Sequence, residues 1–247
     1  LAQTPLFGRE NERDFLWEKL GRLSTGHGVQ VVFVRGPAGQ GKSALVRWIA
    51  RRAQEVGAAI PLTITHQKPN GPSCGLTGLI ERSMKADGLP QGELRSRIES
   101  ICESGGISRL SGVLSDMASA QGTGLNHLNQ SVIYSSDERF EAVCNYLHVL
   151  TKERPRILIV DDVQWGSNCL RFTEYLVNRW GHLPILVLAT IQEVADQIPA
   201  SIASQVNAFI QSQKGDVMVL GPLGSTAHRA LLARTLSLDD EVSNQLA

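Results

Sequence analysis

The stretch GPAGQGKSALVRWIA (residues 36–50) comes shortly after the apolar run VQVVFV (residues 29–34). It contains the pattern GxxxxGK[ST], in which glycines let backbone N–H groups curl around phosphates where a side chain would collide. The expected context is a strand before the loop and a helix after it, with the positive helix N-terminus facing the anion. The stretch therefore predicts a loop that binds the phosphates of a purine nucleoside triphosphate.

Two side chains of this loop are expected to carry chemistry. Lys42 reaches the terminal phosphates, and the hydroxyl of Ser43 ligates Mg²⁺. Gly36 is the first residue of the pattern, and the other residues here that are predicted to contact the nucleotide are Pro37, Gly39, Gln40, Gly41 and Ala44. The alternative is a glycine-rich turn with an accidental Lys-Ser pair, which the flanking strand and helix patterns disfavour.

A second candidate site follows another apolar run, in ILIVDDVQW (residues 157–165). In a parallel sheet, ligands lie outside the carboxyl ends of the strands, so both carboxylates should face the phosphate loop. Asp161 is predicted to support the Mg²⁺ held by Ser43, and Asp162 to polarise the attacking water. A solvated turn or a helix N-cap is the alternative, because Asp is common at both.

Five apolar runs predict the fold. They are nearly continuous in Val, Ile and Leu, which is typical of strands that are covered on both faces. The runs are residues 29–34, 58–64, 157–161, 185–190 and 217–220. Because helical stretches separate them, we expect an α/β fold: a P-loop NTPase core of about five parallel strands with helices on both faces.

The domain organisation follows from the spacing of these runs. Residues 1–220 are expected to form the nucleotide-binding domain. Within it, residues 65–155 show helical patterns and no strand, so we predict a mostly helical insertion after the second strand. The last helix of this insertion should begin with a capping box, Ser135 to Glu138. Residues 221–247 are expected to begin a helical lid that this chain does not complete.

Composition excludes several classes of protein. The 247 residues carry 24 Lys and Arg against 24 Asp and Glu, and this balance argues against a chain that coats nucleic acid or an anionic membrane. No apolar run reaches the roughly 18 residues that span a membrane, and no signal peptide is visible. The four cysteines and six histidines are scattered, without zinc spacing or a nucleophile partner. We expect buried thiols in a cytoplasmic protein, with histidines on the surface or in packing roles.

Four stretches resemble one known group. They are LFGRE with the following ER and Leu (residues 6–16), GPAGQGKSALVR, ILIVDDVQWGSNCLRFTEYL and VMVLGPLGSTAHRALLA. Together they resemble the ATPase domains of the signal-transduction ATPases with numerous domains (STAND), within the wider AAA-type P-loop superfamily. The likeness is greatest to the bacterial members attached to transcriptional regulators, protein kinases or nucleotide cyclases.

The resemblance implies ATP or ADP as the nucleotide and Mg²⁺ as the metal. It also implies that Phe7, Gly8 and Arg9 line the adenine side, whereas Arg9 alone would be interpreted as a solvated helix start. Relatives often carry a T-x-R pattern after the fourth strand, which senses the terminal phosphate. Here Thr190 is present but Gln192 replaces the arginine, so charge stabilisation of the transition state should be weaker.

A second departure concerns the arginine finger of ring-forming AAA-type machines. Residues 201–216, before the fifth strand, offer only Lys214 near that end, which disfavours a rapid oligomeric motor. Arg229 and Arg234 on the predicted lid helix are candidate phosphate sensors, although an arginine on a helix face is more often solvated.

These observations favour a slowly hydrolysing, nucleotide-dependent conformational switch. Such a module is expected to belong to a longer signalling or regulatory polypeptide with output or sensor domains, and to self-associate with the nucleotide state. A AAA-type motor or loader acting on DNA or protein is the first alternative, against which neutral charge and the DDxQW stretch both count. A small-molecule kinase is the second, and the GRE element and helical segment after the fifth strand disfavour it.

Overall fold

A computed structural model describes residues 6–66, 75–84, 89–119, 134–193, 200–212 and 214–236. The strands are β1 (Gln30–Gly36), β2 (Ile60–Thr65), β3 (Arg156–Asp161), β4 (Ile185–Gln192) and β5 (Asp216–Val219). The α-helices are α1 (Glu10–Ser24), α2 (Lys42–Glu55), α3 (Gly75–Ser83), α4 (Gln91–Gly105), α5 (Ser111–Ser119), α6 (Ser136–Thr151), α7 (Ser167–Trp180), α8 (Ala200–Gln211) and α9 (Ser225–Leu236). Two short 3-10 helices span Ser108–Leu110 and Val163–Trp165.

The five strands form one parallel sheet in the order β2-β3-β4-β1-β5. Each strand lies within two residues, at both ends, of one of the apolar runs, which confirms the predicted five-stranded parallel core. The parallel order places the carboxyl ends of all strands at one edge. The loop after β1 and the acidic pair at the end of β3 therefore lie at the same edge.

Both faces of the sheet are buried, and this explains the unbroken apolar runs. On β1, Val31 and Phe33 belong to one core cluster, while Val32 and Val34 belong to the other. Helices α1 and α2 cover the second cluster, and helices α3 to α8 contribute to the first. Because successive side chains of a strand point to opposite faces, burial on both requires apolar residues at every position. The expected helices on both faces are confirmed.

Between β2 and β3, the described residues form α3 to α6 and one 3-10 helix, without a strand. Helix α6 begins with the predicted capping box: the N–H of Glu138 donates to Ser135 Oγ at 3.2 Å, and the N–H of Ser135 donates to Glu138 Oε2 at 2.7 Å. These bonds satisfy two of the N–H groups that a helix start otherwise leaves unpaired.

Helix α9 follows β5 and occupies the described part of the predicted lid segment. The rest of that segment, residues 237–247, lies outside the described residues, as does Cys74. Cys102, Cys144 and Cys169 are buried free thiols, as the sequence predicts. Among the helices that the structure describes, none is long and apolar enough to cross a membrane.

Candidate functional site

The phosphate loop joins the end of β1 to the start of α2. Gly39 and Gly41 have φ angles of 77° and 83°, a left-handed conformation that is strained for other residues. A Cβ atom at either glycine would meet no heavy atom within 4 Å, so the loop borders open space on this side. The loop therefore has both the backbone conformation and the room that a phosphate cradle needs.

Lys42 lies in the first turn of α2 and folds back over the loop. Its Nζ donates to the carbonyl oxygens of Gly36 at 2.9 Å and Pro37 at 2.6 Å, and the residue is buried. Burial lowers the pKa of Lys42, while Asp162, Glu193 and Asp161 act in the opposite direction. The ammonium group is thus held inside the loop by carbonyl oxygens.

The two predicted magnesium ligands lie side by side. Ser43 Oγ donates to Asp161 Oδ1 at 2.8 Å, across 118 positions of sequence. Thr190 Oγ1 donates to the same carboxylate oxygen at 2.6 Å, and Arg47 contacts Asp161 Oδ2 at 3.1 Å. A hydroxyl and a carboxylate are oxygen ligands of the type that Mg²⁺ prefers, so this donor set fits the predicted ion.

Asp162 is turned out of the strand by an unusual backbone conformation. Its φ of 55° lies in the left-handed region, and its N–H donates to Thr190 Oγ1 at 2.9 Å. The side chain of Gln164 donates from Nε2 to Asp162 Oδ1 at 3.0 Å and accepts from the N–H of Gln192 at 3.3 Å. Gln164 therefore links the second carboxylate to the end of β4.

Thr190 and Gln192, the two residues of β4 that were predicted to contact the nucleotide, differ in how they contact the rest of the site. Thr190 is fully buried behind the acidic pair, and its hydroxyl contacts Asp161 and the N–H of Asp162. Gln192 is bonded to Gln164 through its main-chain N–H. Thr190 thus reaches Ser43 through Asp161, whereas Gln192 is the register partner of Gly36, the first residue of the phosphate-loop pattern.

A cavity of about 900 Å³ adjoins the loop. Of the predicted nucleotide-contacting residues, Phe7, Arg9, Gly39, Gln40, Gly41 and Ala44 line it. Pro222, Leu223, His228 and Leu231, from the segment after β5, line it as well. Pro37, Lys42, Ser43, Asp161 and Asp162 are not among the lining residues. Arg229 and Arg234 are exposed on α9 and do not line it either.

The N-terminal element closes this cavity on one side. Arg9 NH2 donates to the carbonyl oxygen of Gln40 at 3.2 Å and to that of Gly221, and NH1 pairs with Glu12 at 3.0 Å. The side chain of Arg9 is only 8% exposed, so it is not a solvated helix start. A Cβ atom on Gly8 would lie 2.9 Å from the Cβ of Ala227, which places Gly8 directly against α9.

Sequence reasoning missed three residues of the site. Gln164 had no independent role, Arg47 was not considered, and His66 was assigned to the surface or to packing. His66 is buried, with Nδ1 3.0 Å from the carbonyl oxygen of Asp161 and Nε2 3.1 Å from Cys169 Sγ. The available signal was its position in the chain: His66 comes two residues after the second apolar run, so it had to lie at the same sheet edge.

Among the residues that the structure describes, no group of three or more His, Cys, Asp or Glu could hold a metal ion. The Ser43–Asp161 pair is not such a group, since it offers one hydroxyl and one carboxylate. Two protein ligands are enough for a Mg²⁺ ion bound with nucleotide, because its remaining oxygens come from phosphate and water.

Comparisons with known proteins point in one direction. Residues 5–169 match a family model described as AAA ATPase domain.

The Orc1 protein of Aeropyrum pernix, solved in complex with DNA, is similar at a TM-score of 0.52 and 14% identity, over 95% of this chain and 50% of that one. Cdc6p from Pyrobaculum aerophilum is similar at a TM-score of 0.53 and 15% identity, over 94% of this chain and 50% of that one. This chain thus spans about half the length of both. Identities this low show the fold alone, and no curated protein matches the sequence.

Proposed function

Since this chain belongs to the family of AAA ATPase domains, we propose that it binds adenine nucleotide, hydrolyses ATP slowly with Mg²⁺, and acts as a conformational switch in a larger signalling or regulatory protein of the STAND type. The proposal includes nucleotide-dependent self-association, output or sensor domains in the same polypeptide, and a cytoplasmic location.

The contact that carries the proposal is the 2.8 Å hydrogen bond between Ser43 Oγ and Asp161 Oδ1. It joins the start of α2 to the end of β3, so the phosphate loop and the acidic pair form one site. Mg²⁺, when bound here, neutralises phosphate charge and orients the phosphate groups. Lys42 exchanges its two loop carbonyls for phosphate oxygens, and Asp162 accepts a hydrogen bond from the attacking water.

We expect slow turnover because of the residue at position 192. Gln192 stands where relatives often carry an arginine, and it can donate a hydrogen bond but supplies no positive charge. Lys214, near the end of the segment before β5, pairs with Asn178 on α7. Weaker stabilisation of charge in the transition state lowers the rate of hydrolysis without preventing binding.

The switch role rests on Arg9, which contacts both the phosphate loop at Gln40 and the segment before α9 at Gly221. A nucleotide shifts a conformational equilibrium only if it contacts the two states differently. A terminal phosphate that moves the loop carbonyl of Gln40 would change the Arg9 contacts, and through them the position of α9. Phe7 and Leu223, which line the same cavity, provide apolar surface for the adenine ring.

The test is steady-state ATP turnover by the chain in Mg²⁺, with and without excess duplex DNA. We expect turnover below about 1 s⁻¹, the lower end of ordinary enzyme rates, with no response to DNA. The fold likeness to a protein solved with DNA supplies the alternative, a loader or motor. Turnover well above that rate, or strong stimulation by DNA, would support the alternative and contradict the switch.

A further inference from the structure

The peptide group that joins Asp161 to Asp162 is hydrogen-bonded at both ends. Its carbonyl oxygen lies 3.0 Å from Nδ1 of His66, and its N–H donates to Thr190 Oγ1 at 2.9 Å. We propose that His66 is a positioning residue for the acidic pair, because holding this peptide group fixes the direction in which both carboxylates project. This inference rests on the proposed function only in that it takes the acidic pair to be the hydrolytic site.

The hydrogen-bond chemistry determines which tautomer His66 adopts. A carbonyl oxygen can only accept, so the proton of the ring must be on Nδ1, and Nε2 is left with a lone pair. Cys169 Sγ lies 3.1 Å from Nε2, and burial raises the pKa of this thiol to about 12. The thiol therefore stays protonated and donates to Nε2. The arrangement is a directed chain, from Cys169 through His66 to the Asp161 carbonyl, and Cys169 is not a nucleophile.

The backbone at this point needs support from other elements. Thr65 and Asp161 are the last registered pair between β2 and β3, and His66 is the residue after Thr65. The side chain of His66 therefore continues the bonding between the two strands past the end of the ladder. Asp162, with its positive φ, adopts a conformation that non-glycine residues retain only where their surroundings enforce it.

The chain after the acidic pair is shaped around the imidazole ring. A Cβ atom on Gly166 would lie 2.0 Å from His66 Nε2 and 2.2 Å from its Cδ2. The φ of Gly166 is −134°, which any residue can adopt. Glycine is therefore required here by the ring of His66 and not by the backbone conformation. This close approach fixes the ring in place between Gly166 and the carbonyl that it holds.

The first experiment separates positioning from packing with two variants of His66. His66→Leu puts an apolar group of similar size in place of the ring and removes the donor, whereas His66→Asn keeps an N–H at the position of Nδ1. Three quantities are measured: ATP turnover, ATP affinity in EDTA, and the hydrogen-exchange rate of the Asp162 amide by NMR. We expect His66→Leu to lower turnover about 10- to 100-fold, as is typical for groups that orient a metal ligand. Its ATP affinity in EDTA should stay unchanged, and its Asp162 amide should exchange faster.

His66→Asn should retain most of the turnover and the slow amide exchange, because the donor remains. A packing histidine would give the opposite pattern, with His66→Leu close to the unmodified chain in turnover and in exchange. That result would overturn the proposal, as would equal losses in both variants.

The second experiment displaces the ring of His66 by a substitution at its neighbour Gly166. Gly166→Ala should displace the ring and give the same loss of turnover, while Gly92→Ala in α4, where an added Cβ meets nothing within 4 Å, should have no effect. Because residues that act through one another are not additive, Gly166→Ala should cost nothing further in a His66→Ala background. Additive losses in the double variant would contradict the proposal.

The two readouts also separate this inference from the proposed function. If the unmodified chain shows no ATP turnover, the proposed function fails. The exchange rate of the Asp162 amide still tests the role of His66, because it requires no nucleotide. If turnover is present and His66→Leu leaves both turnover and exchange unchanged, this inference fails alone.

Discussion

The guanidinium group of Arg9 donates a hydrogen bond to the carbonyl oxygen of Gly221, which lies 212 positions later in the chain. The same nitrogen donates to the carbonyl oxygen of Gln40 in the phosphate loop. One side chain therefore connects the element before α1, the loop after β1 and the segment that leads into α9. Under the proposed function, we expect a change in the phosphate loop to alter these contacts and so to reach the segment that leads into α9.

We predict that Arg9→Met uncouples α9 from the nucleotide. Methionine keeps an unbranched stem but removes every donor, so the carbonyls of Gln40 and Gly221 lose their shared partner. Hydrogen exchange measured by mass spectrometry should show ATP-dependent protection of residues 225–236 in the unmodified chain and little or none in the variant. Arg22→Met, at an exposed surface ion pair of α1, is the matched control. Equal protection in Arg9→Met and the unmodified chain would contradict the proposed switch.

We predict that Lys42→Ala abolishes nucleotide binding. The ammonium group is held over the loop by two carbonyl oxygens and is placed to meet the terminal phosphates. A ligand that binds only the folded state raises stability by about 2.7 kcal/mol at a concentration of 100 Kd, so the melting temperature reports binding. ATP should raise the melting temperature of the unmodified chain and of Lys152→Ala, an exposed lysine at the end of α6. An equal rise in Lys42→Ala would show that the loop does not bind in the proposed way.

We predict that Asp162→Asn spares binding and removes hydrolysis. The amide keeps the size of the side chain and leaves the Ser43–Asp161 pair intact, but it cannot act as the base for water. ATP affinity from fluorescence titration should therefore stay close to that of the unmodified chain while turnover falls by about 100-fold or more. Asp116→Asn, an exposed carboxylate on α5, provides the comparison. Normal hydrolysis by Asp162→Asn would rule out the assigned role.

The strands and the phosphate loop could be predicted because their sequence signals are local. Burial on both faces forces continuous apolar runs, so each strand is visible within its own few residues. The phosphate loop is equally local, since its glycines, Lys42 and Ser43 follow one another in sequence. The strand order β2-β3-β4-β1-β5 has no such signal, because it depends on which runs meet in space.

The residues that were missed have partners that are distant in sequence. His66 meets the Asp161 carbonyl across 95 positions, and Gln164 meets the N–H of Gln192 across 28. A single histidine after a strand and a single glutamine after an acidic pair are each common, and only the packed sheet edge gives them a role. The partners of Arg9 could not be predicted for a related reason. They are the main-chain carbonyl oxygens of residues 40 and 221, and every residue type has such a carbonyl.

A different cluster, away from the candidate functional site, is expected to make the stability of the fold depend on pH. Glu141 on α6 accepts hydrogen bonds from Tyr175 Oη at 2.8 Å and Trp180 Nε1 at 3.1 Å, both on α7, and from Asn145 Nδ2 at 3.0 Å. Burial raises the pKa of Glu141, but these bonds and the nearby Arg179 outweigh it, so the pKa is lowered. A carboxyl whose pKa is lower in the folded state stabilises the fold above its unfolded pKa.

We therefore predict that this contribution is fully present near neutral pH and is lost in acid, as the pH falls below the ordinary pKa of a glutamate and through the lowered pKa of Glu141. Glu141→Gln should reduce the free energy of unfolding at neutral pH by about 1.5 to 3 kcal/mol, the range for hydrogen bonds to a charged group. The difference between the variant and the unmodified chain should shrink on acidification, as measured by denaturant unfolding at each pH. Glu174→Gln, an exposed carboxylate on α7, is the control. A difference that stays constant with pH would show that the charge of Glu141 contributes nothing to the packing of α6 on α7.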